Sequence, residues 1–216
     1  MTSPRYASLI LDVDSTLCGI EGVDWLAARR DLATAADCAR LTASAMAGEI
    51  PLESIFATRL DRIRPGTDDL AALAEAYRGA VAIGAADVLR KLRAVGVGIH
   101  LVSGGLRQAI LPVSQDLGFG ESEVHAVPVF LDSHGDYVDF DRASPLWRSG
   151  GKCEVVAALG LPAPRLAVGD GMSDAELRHV TEAFSVFTGF IRRHLVVELA
   201  QHECSSFTDL LELVLP

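Results

Sequence analysis

The chain alternates short apolar runs with stretches whose apolar residues have helical spacing. The first apolar run, residues 8–13, reads Ser-Leu-Ile-Leu-Asp-Val and ends in acid. Continuous apolar runs of this length are typical of parallel strands buried on both faces. Similar runs predict further strands at 97–102, 124–130, 165–168 and 183–187. Strands that alternate with helices predict an α/β fold in which helices cover both faces of a parallel sheet.

A helical region interrupts this alternation directly after the first predicted strand. Helical segments are expected at 22–30, 34–47, 51–63 and 67–77. We interpret residues 15–80 as a helical cap inserted into a core that is formed by residues 1–14 and 81–216. In the core, the sequence His134-Gly135-Asp136 between alternating residues predicts a small hairpin near 128–141.

Composition and charge exclude several classes of protein. The 216 residues are 50% hydrophobic and 22% charged, which is too apolar for a disordered chain. No apolar run approaches the roughly 18 residues of a membrane span, and the N-terminal run is too short for a signal peptide, so we expect a cytoplasmic protein. The formal net charge of −10 repels nucleic acid and membranes, so local cations would have to hold any anionic substrate. The four cysteines have no CxxC spacing and are expected to be free thiols.

Acidic residues follow two of the predicted strands. Asp12 and Asp14 lie two positions apart, so their side chains point the same way at the end of the first strand. Asp170 and Asp174 belong to the segment Gly-Asp-Gly-Met-Ser-Asp that follows the strand at 165–168. Because open α/β sheets bind ligands at the carboxyl ends of their strands, these acids can hold Mg²⁺ or act as nucleophile and acid. Asp12 and Asp14 alone are equally compatible with solvated acids in a turn, and the second acidic segment favours a site.

Two further segments have the character of anion sites. Ser103-Gly104-Gly105 is expected to follow the strand at 97–102 and to precede a helix, where a hydroxyl and backbone N–H groups can bind an anion. Gly150-Gly151-Lys152 is expected to open another helix, with Lys152 as a positive charge for phosphate. The sequence contains no P-loop, no dinucleotide-binding fingerprint and no nucleophile elbow.

These four motifs, in this order, resemble those of the haloacid dehalogenase-like phosphatases. The motifs are DxDxT from Asp12, Ser-Gly-Gly from Ser103, the Gly-Lys pair that ends at Lys152, and GDGxxD from Gly169. Within that superfamily the chain resembles the phosphoserine phosphatases over nearly its whole length, the cap included. The resemblance implies a Rossmann-like core with a small helical cap, and a reaction that passes through an aspartyl-phosphate.

The resemblance also implies a role for each acid of the core. Asp12 would be the nucleophile, and Asp14 the acid that protonates the leaving oxygen and then the base that activates water. Mg²⁺ would be held by the Asp12 carboxylate, the Asp14 backbone carbonyl and Asp170, with Asp174 supporting the metal site.

The substrate residues implied by the resemblance lie in both parts of the chain. Ser103, the Gly104 amide and Lys152 would hold the phosphoryl oxygens. In the cap, Glu21 would pair with a substrate ammonium and Arg59 with its carboxylate, although without the resemblance both are best interpreted as exposed helix charges. Three further expected contacts are Met46, Leu52 and Ser173, of which Leu52 stands where the family commonly has phenylalanine and Ser173 where asparagine or threonine is usual.

We therefore expect a Mg²⁺-dependent hydrolase of O-phospho-L-serine that serves serine biosynthesis. One alternative keeps the chemistry but uses another small phosphomonoester, or transfers the phosphoryl group to an alcohol such as homoserine. The other alternative is an inactive binding or regulatory homologue. The expected partner is a small-molecule phosphomonoester, with neither nucleic acid nor membrane, and the chain is expected to be a monomer or a homodimer.

Overall fold

The computed structural model describes residues 3–216, so the first two residues of the predicted core segment 1–14 lie outside it. Its strands are β1 (Ser8–Leu11), β2 (Gly98–Leu106), β3 (Val124–Val127), β4 (Val129–Leu131), β5 (Tyr137–Phe140), β6 (Arg165–Gly169), β7 (Ala183–Phe187) and β8 (His202–Cys204). Six of them form a parallel sheet in the order β3-β2-β1-β6-β7-β8. The strands β4 and β5 form a separate antiparallel hairpin, as the sequence predicts.

Ten helices accompany the sheet in the described residues. They are α1 (Gly22–Ala28), α2 (Leu32–Met46), α3 (Glu53–Ile63), α4 (Thr67–Gly79), α5 (Ala85–Ala94), α6 (Arg107–Asp116), α7 (Gly151–Leu159), α8 (Met172–Ala175), α9 (His194–Leu199) and α10 (Phe207–Val214). The predicted α/β class with a Rossmann-like parallel sheet is thereby confirmed. Among the described residues, no helix is both long enough and apolar enough to cross a membrane.

The central strands owe their burial to the continuous apolar runs of the sequence. All four residues of β1 and all five of β7 are buried. A strand that is covered on both faces has no face exposed to solvent. Its residues therefore do not alternate between apolar and polar.

The order of the strands in the sheet changes direction at β1. Strands β2 and β3 lie on one side of it, and β6, β7 and β8 on the other. The carboxyl ends of β1 and β6 are adjacent, and the Asp12 N–H donates a hydrogen bond to the Val168 carbonyl at 3.0 Å. Such a switch point leaves a crevice at the strand ends, so the acids that follow β1 and β6 meet there.

Helices α1 to α4 all lie between β1 and β2 in the chain, close to the predicted helical segments. The last of them, α4, packs against α6, which follows β2. The predicted division of the chain into cap and core at residues 15–80 stays a prediction.

Three predicted strands have other bounds in the structure. The first, predicted at 8–13, ends at Leu11. Ser103-Gly104-Gly105 does not follow a strand, because β2 continues through it to Leu106, with an irregular register after Val102. The predicted strand at 124–130 is two strands, since Pro128 lies between them and has no N–H to donate to a sheet.

Helix α7 begins at Gly151, where the segment Gly150-Gly151-Lys152 predicts that a helix opens. No predicted element covers the chain after residue 200, where β8 and α10 lie.

Candidate active site

Lys152 lies between two carboxylates at the crevice. Its Nζ is 2.7 Å from Asp12 Oδ1 and 2.6 Å from Asp174 Oδ1. Although burial lowers the pKa of Lys152, the charges of Asp12 and Asp174 outweigh this and raise it above its ordinary value. Lys152 is therefore a permanent positive charge, and its place at the first turn of α7 follows from the two glycines before it.

Asp12, Asp170 and Asp174 form a buried acidic cluster. Each offers one carboxylate oxygen, and these atoms all lie within 4.8 Å of one another. Burial and the neighbouring Asp174 charge raise the pKa of Asp12 to about 8, although Lys152 acts in the opposite direction. Buried carboxylate oxygens so close together fit a hard divalent cation such as Mg²⁺, whose charge would offset their mutual repulsion.

Within this cluster Asp174 accepts a hydrogen bond on each of its two oxygens. One oxygen accepts the bond from Lys152, and the other accepts the Gly171 N–H at 3.0 Å. Both bonds fix the carboxylate, which in turn holds Lys152 toward Asp12. These contacts agree with the supporting role that the sequence predicts for Asp174.

Asp170 has two partners that sequence reasoning did not name. The Thr16 hydroxyl lies 3.3 Å from Asp170 Oδ1 and donates to it. The Arg193 guanidinium pairs with Asp170 Oδ2 and lies 3.7 Å from Glu21 Oε1. Arg193 therefore links an acid of the core to an acid of the predicted cap.

Asp14 is held through one of its oxygens. Asp14 Oδ1 accepts the Gly22 N–H and the Tyr77 hydroxyl, both at 2.7 Å. Asp14 Oδ2 lies 3.4 Å from the Ser103 hydroxyl. Burial raises the pKa of Asp14 above its ordinary value, which favours the protonated form that a general acid needs.

The Ser-Gly-Gly segment passes close to these acids. The Gly105 N–H donates to Ser103 Oγ at 2.9 Å, which orients that buried hydroxyl. A Cβ atom on Gly105 would lie 2.8 Å from Asp14 Oδ2, so the close approach of β2 to Asp14 needs glycine. The segment is thus the carboxyl end of β2 against the crevice, and it precedes α6, which begins at Arg107, as the sequence predicts.

The predicted site residues meet in one pocket of about 660 Å³. Its lining includes Asp12, Asp14, Glu21, Met46, Leu52, Arg59, Ser103, Gly104, Lys152, Asp170 and Ser173. Asp174 is the one predicted site residue outside this lining, and it lies behind Lys152. The structure thus brings the predicted residues together, while their individual roles stay predictions.

The cap side of the pocket contains a buried arginine, Arg59, which is only 4% exposed. Arg59 Nη1 donates a hydrogen bond to the Thr42 hydroxyl. That hydroxyl in turn donates to Asp24 Oδ1 at 2.7 Å, and Arg59 Nη1 lies 3.8 Å from the same Asp24 oxygen. Its Nε has no hydrogen-bond partner in the described part of the chain. Arg59 is therefore buried and anchored on one side, unlike an exposed helix charge.

Glu21, on the same side of the pocket, is a partly buried acid, with 22% of its side chain exposed. Its Oε1 accepts the Ser15 hydroxyl at 2.7 Å. Burial and the Asp14 charge raise the pKa of Glu21 to about 7. A cationic group of a ligand beside Glu21 would favour its ionised form.

Four residues of the site carried no sequence signal: Asp24, Thr42, Tyr77 and Arg193. Asp24, Thr42 and Tyr77 are isolated in the chain and reach the site only because their helices pack there, whereas Arg193 immediately precedes α9. Helical spacing places Tyr77 on a buried face, but nothing in the sequence names the group that its hydroxyl meets.

The comparisons with known proteins agree with this geometry. The family model of the haloacid dehalogenase-like hydrolases matches residues 9–178. A chloroplastic phosphoserine phosphatase of Arabidopsis thaliana is 31% identical over 209 residues, which cover 94% of this chain and 70% of the plant protein.

Two solved structures share the fold. The crystal structure of a phosphoserine phosphohydrolase-like protein from Francisella tularensis subsp. tularensis SCHU S4 covers 99% of both chains, with a TM-score of 0.88 and 22% identity. A phospho-aspartyl intermediate analogue of phosphoserine phosphatase covers 97% of this chain and 99% of its own, with a TM-score of 0.82 and 20% identity. The chain therefore belongs to the haloacid dehalogenase-like hydrolases, as a phosphomonoesterase of the phosphoserine phosphatase type.

Proposed function

We propose that the protein is a Mg²⁺-dependent cytoplasmic enzyme that hydrolyses O-phospho-L-serine to L-serine and phosphate, a step that serves serine biosynthesis. The observation that carries this proposal is the division of charge within one pocket. Lys152 and the acidic cluster lie on the core side, and Glu21 and Arg59 on the cap side. The phosphate, the ammonium and the carboxylate of phosphoserine would each lie beside a group of opposite charge or a cation site in this pocket.

The reaction would proceed through Asp12 and Asp14. An Asp12 carboxylate oxygen attacks phosphorus, and the bond between phosphorus and the serine oxygen breaks as Asp14 gives that oxygen a proton. Asp14 then takes a proton from water, whose oxygen attacks phosphorus and breaks the bond to Asp12. Inorganic phosphate leaves and the Asp12 carboxylate is restored.

The phosphate dianion repels the carboxylate that attacks it, so positive charge is needed at the core side. Lys152, 2.7 Å from Asp12, supplies one charge, and the Ser103 hydroxyl and Gly104 amide are further donors to phosphoryl oxygens. The Asp12 and Asp170 carboxylates and the Asp14 carbonyl would hold Mg²⁺, which when bound supplies the remaining charge neutralisation. Asp174 supports this arrangement through its bond to Lys152.

The cap side would select the serine moiety. Arg59, with its unpartnered Nε, would bind the substrate carboxylate, and Glu21 would bind its ammonium. Met46 and Leu52 supply apolar contacts, and Ser173 adds a hydroxyl.

The test is phosphate release from O-phospho-L-serine with Mg²⁺ and with EDTA, beside phosphothreonine and phosphoethanolamine. We expect activity that EDTA abolishes and Mg²⁺ restores, with phosphoserine preferred over phosphoethanolamine, which has no carboxylate for Arg59. Equal rates on the whole panel would leave a general phosphomonoesterase and refute the substrate assignment. Activity that resists EDTA would refute the metal requirement.

A second candidate keeps the chemistry but changes the acceptor or the size of the substrate. Leu52 also lines a second, solvent-open depression on the surface, so the pocket wall at this position borders solvent. This observation favours a larger phosphomonoester or phosphoryl transfer to an alcohol such as homoserine. Assays with added homoserine distinguish the two outcomes, because transfer forms a phosphorylated alcohol while hydrolysis releases only phosphate.

A further inference from the structure

Tyr77 contacts the predicted general acid from outside the pocket. Its hydroxyl donates to Asp14 Oδ1 at 2.7 Å. Tyr77 lies on α4, and its side chain is entirely buried. Tyr77 is absent from the pocket lining, while Asp14 belongs to it. The hydroxyl therefore meets the carboxyl group from behind, where a substrate does not reach.

The two oxygens of Asp14 have different surroundings. Oδ1 accepts two hydrogen bonds of 2.7 Å, from Tyr77 and from the Gly22 N–H, which together occupy its lone pairs. Within residues 3–216, the only hydrogen bond to Oδ2 is the longer one from the Ser103 hydroxyl, at 3.4 Å. Ser103 and Gly105, which flank Oδ2, both line the pocket. A proton on Asp14 therefore belongs on Oδ2, since Oδ1 would lose a bond by accepting it.

The geometry around Tyr77 supports a specific contact. A Cβ atom on Gly22 would lie 2.1 Å from the Tyr77 hydroxyl oxygen, so only glycine leaves room for it there. Because a carboxylate oxygen can only accept, the Tyr77 hydroxyl is the donor of its bond to Asp14.

We infer that Tyr77 is a positioning residue for proton transfer: it holds Asp14 Oδ1 so that Oδ2 alone faces the substrate and exchanges the proton with the leaving oxygen and with water. This inference rests on the proposed function, in which Asp14 is the acid and base. It assigns a role to a residue of α4 that forms no part of the pocket.

The test compares two leaving groups in the Tyr77→Phe variant. Serine leaves as an alkoxide unless it receives a proton, whereas p-nitrophenolate leaves without one. The kcat/KM value reports the first step, in which the enzyme is phosphorylated. For phosphoserine we expect this value to fall about tenfold or more, because the variant loses a hydrogen bond to a charged group. For p-nitrophenyl phosphate we expect a change of less than about twofold. The ratio of the two values does not depend on the fraction of folded enzyme.

The matched control is Tyr137→Phe. The Tyr137 hydroxyl is buried in the hairpin and has no hydrogen-bond partner among the described residues, so its removal should leave both values unchanged. Equal losses on both substrates in Tyr77→Phe would mean that Tyr77 only supports packing, and no loss on either would mean that Asp14 needs no such support. Both outcomes overturn the inference.

A third variant separates this inference from the proposed function. Asp14→Asn should depress kcat/KM for phosphoserine far more than for p-nitrophenyl phosphate. If it does and Tyr77→Phe does not, only the inference about Tyr77 fails. If Asp14→Asn affects both substrates alike, Asp14 is not the acid, and the proposed mechanism fails together with the inference.

Discussion

At the scale of single residues, the site depends on charges that are buried beside one another. The motif residues could be predicted because each lies in a short segment whose neighbours share its role, such as Asp12 with Asp14. Thr42 and Tyr77 could not, because a hydroxyl on a helix has no local pattern that distinguishes a site contact from a packing contact. Their roles depend on distances of about 3 Å or less that only the packed helices determine.

Arg59 and Arg62 offer a matched pair on one helix. Arg59 is buried in the pocket, while Arg62 pairs with Asp37 on the exposed side of α3. We expect Arg59→Ala to raise KM for phosphoserine about 10- to 100-fold, since charged hydrogen bonds are each worth about 1.5–3 kcal/mol. Cleavage of p-nitrophenyl phosphate should be spared, and Arg62→Ala should change neither substrate.

Steady-state kinetics on both substrates check this expectation. Equal losses on the two substrates in Arg59→Ala would make Arg59 a structural residue of the cap and would contradict its role as a carboxylate clamp.

At the scale of elements, the sequence predicts the buried strands well and the boundaries less well. Strand β7 has the predicted bounds because its run of five apolar and small residues is buried throughout. Strand β2 extends past its apolar run because the glycines that follow allow the chain to approach Asp14. The short β8 has no apolar run of its own, so only its pairing with β7 defines it.

The start of α7 depends on close packing at Gly151. A Cβ atom there would lie 1.8 Å from the Pro145 carbonyl oxygen, so alanine must displace the first turn of the helix that carries Lys152. We expect Gly151→Ala to lower activity at least about tenfold through the displaced lysine, and to destabilise the fold by about 1–3 kcal/mol.

The matched control for Gly151→Ala is Gly79→Ala near the end of α4. A Cβ atom on Gly79 would meet nothing within 4 Å, so this variant should be as active as the original and slightly more stable, by about 0.4–1 kcal/mol. Denaturant unfolding and phosphate release measure both effects. A fully active Gly151→Ala variant would show that Lys152 tolerates a shift of its helix.

At the scale of the whole molecule, a histidine pair couples the stability of the sheet to pH. His100 on β2 and His125 on β3 have stacked rings, with nitrogens 3.4 Å apart. Burial lowers the pKa of both histidines. The negative charge of Glu123 raises the pKa of His100, and the positive charge of Arg93 lowers it. The positive charge of Arg107 lowers the pKa of His125 further. Both rings are therefore neutral in the folded protein at pH values where the unfolded chain is already protonated.

The sign of the effect follows from proton binding. Below about pH 6.5 the unfolded state binds more protons at these histidines than the folded state, so their contribution to the free energy of unfolding falls as the pH decreases. The raised pKa values of Asp12 and Glu21 act in the opposite direction, and equally in the protein and its variant. We therefore expect the urea midpoint of the His100→Gln, His125→Gln double variant to rise relative to that of the original protein between about pH 7.5 and pH 5.5. An identical pH dependence in the variant would mean that other groups are responsible.

Covalent catalysis by Asp12 can be tested by mass spectrometry of enzyme that is quenched in acid during turnover of phosphoserine. We expect one added phosphoryl group, located on Asp12, that forms with Mg²⁺ and is absent with EDTA. Asp12→Asn should show no such adduct and should lose more than about a thousandfold of the activity. Turnover that persists in Asp12→Asn, or a phosphoryl group on another residue, would contradict the role of Asp12 as nucleophile.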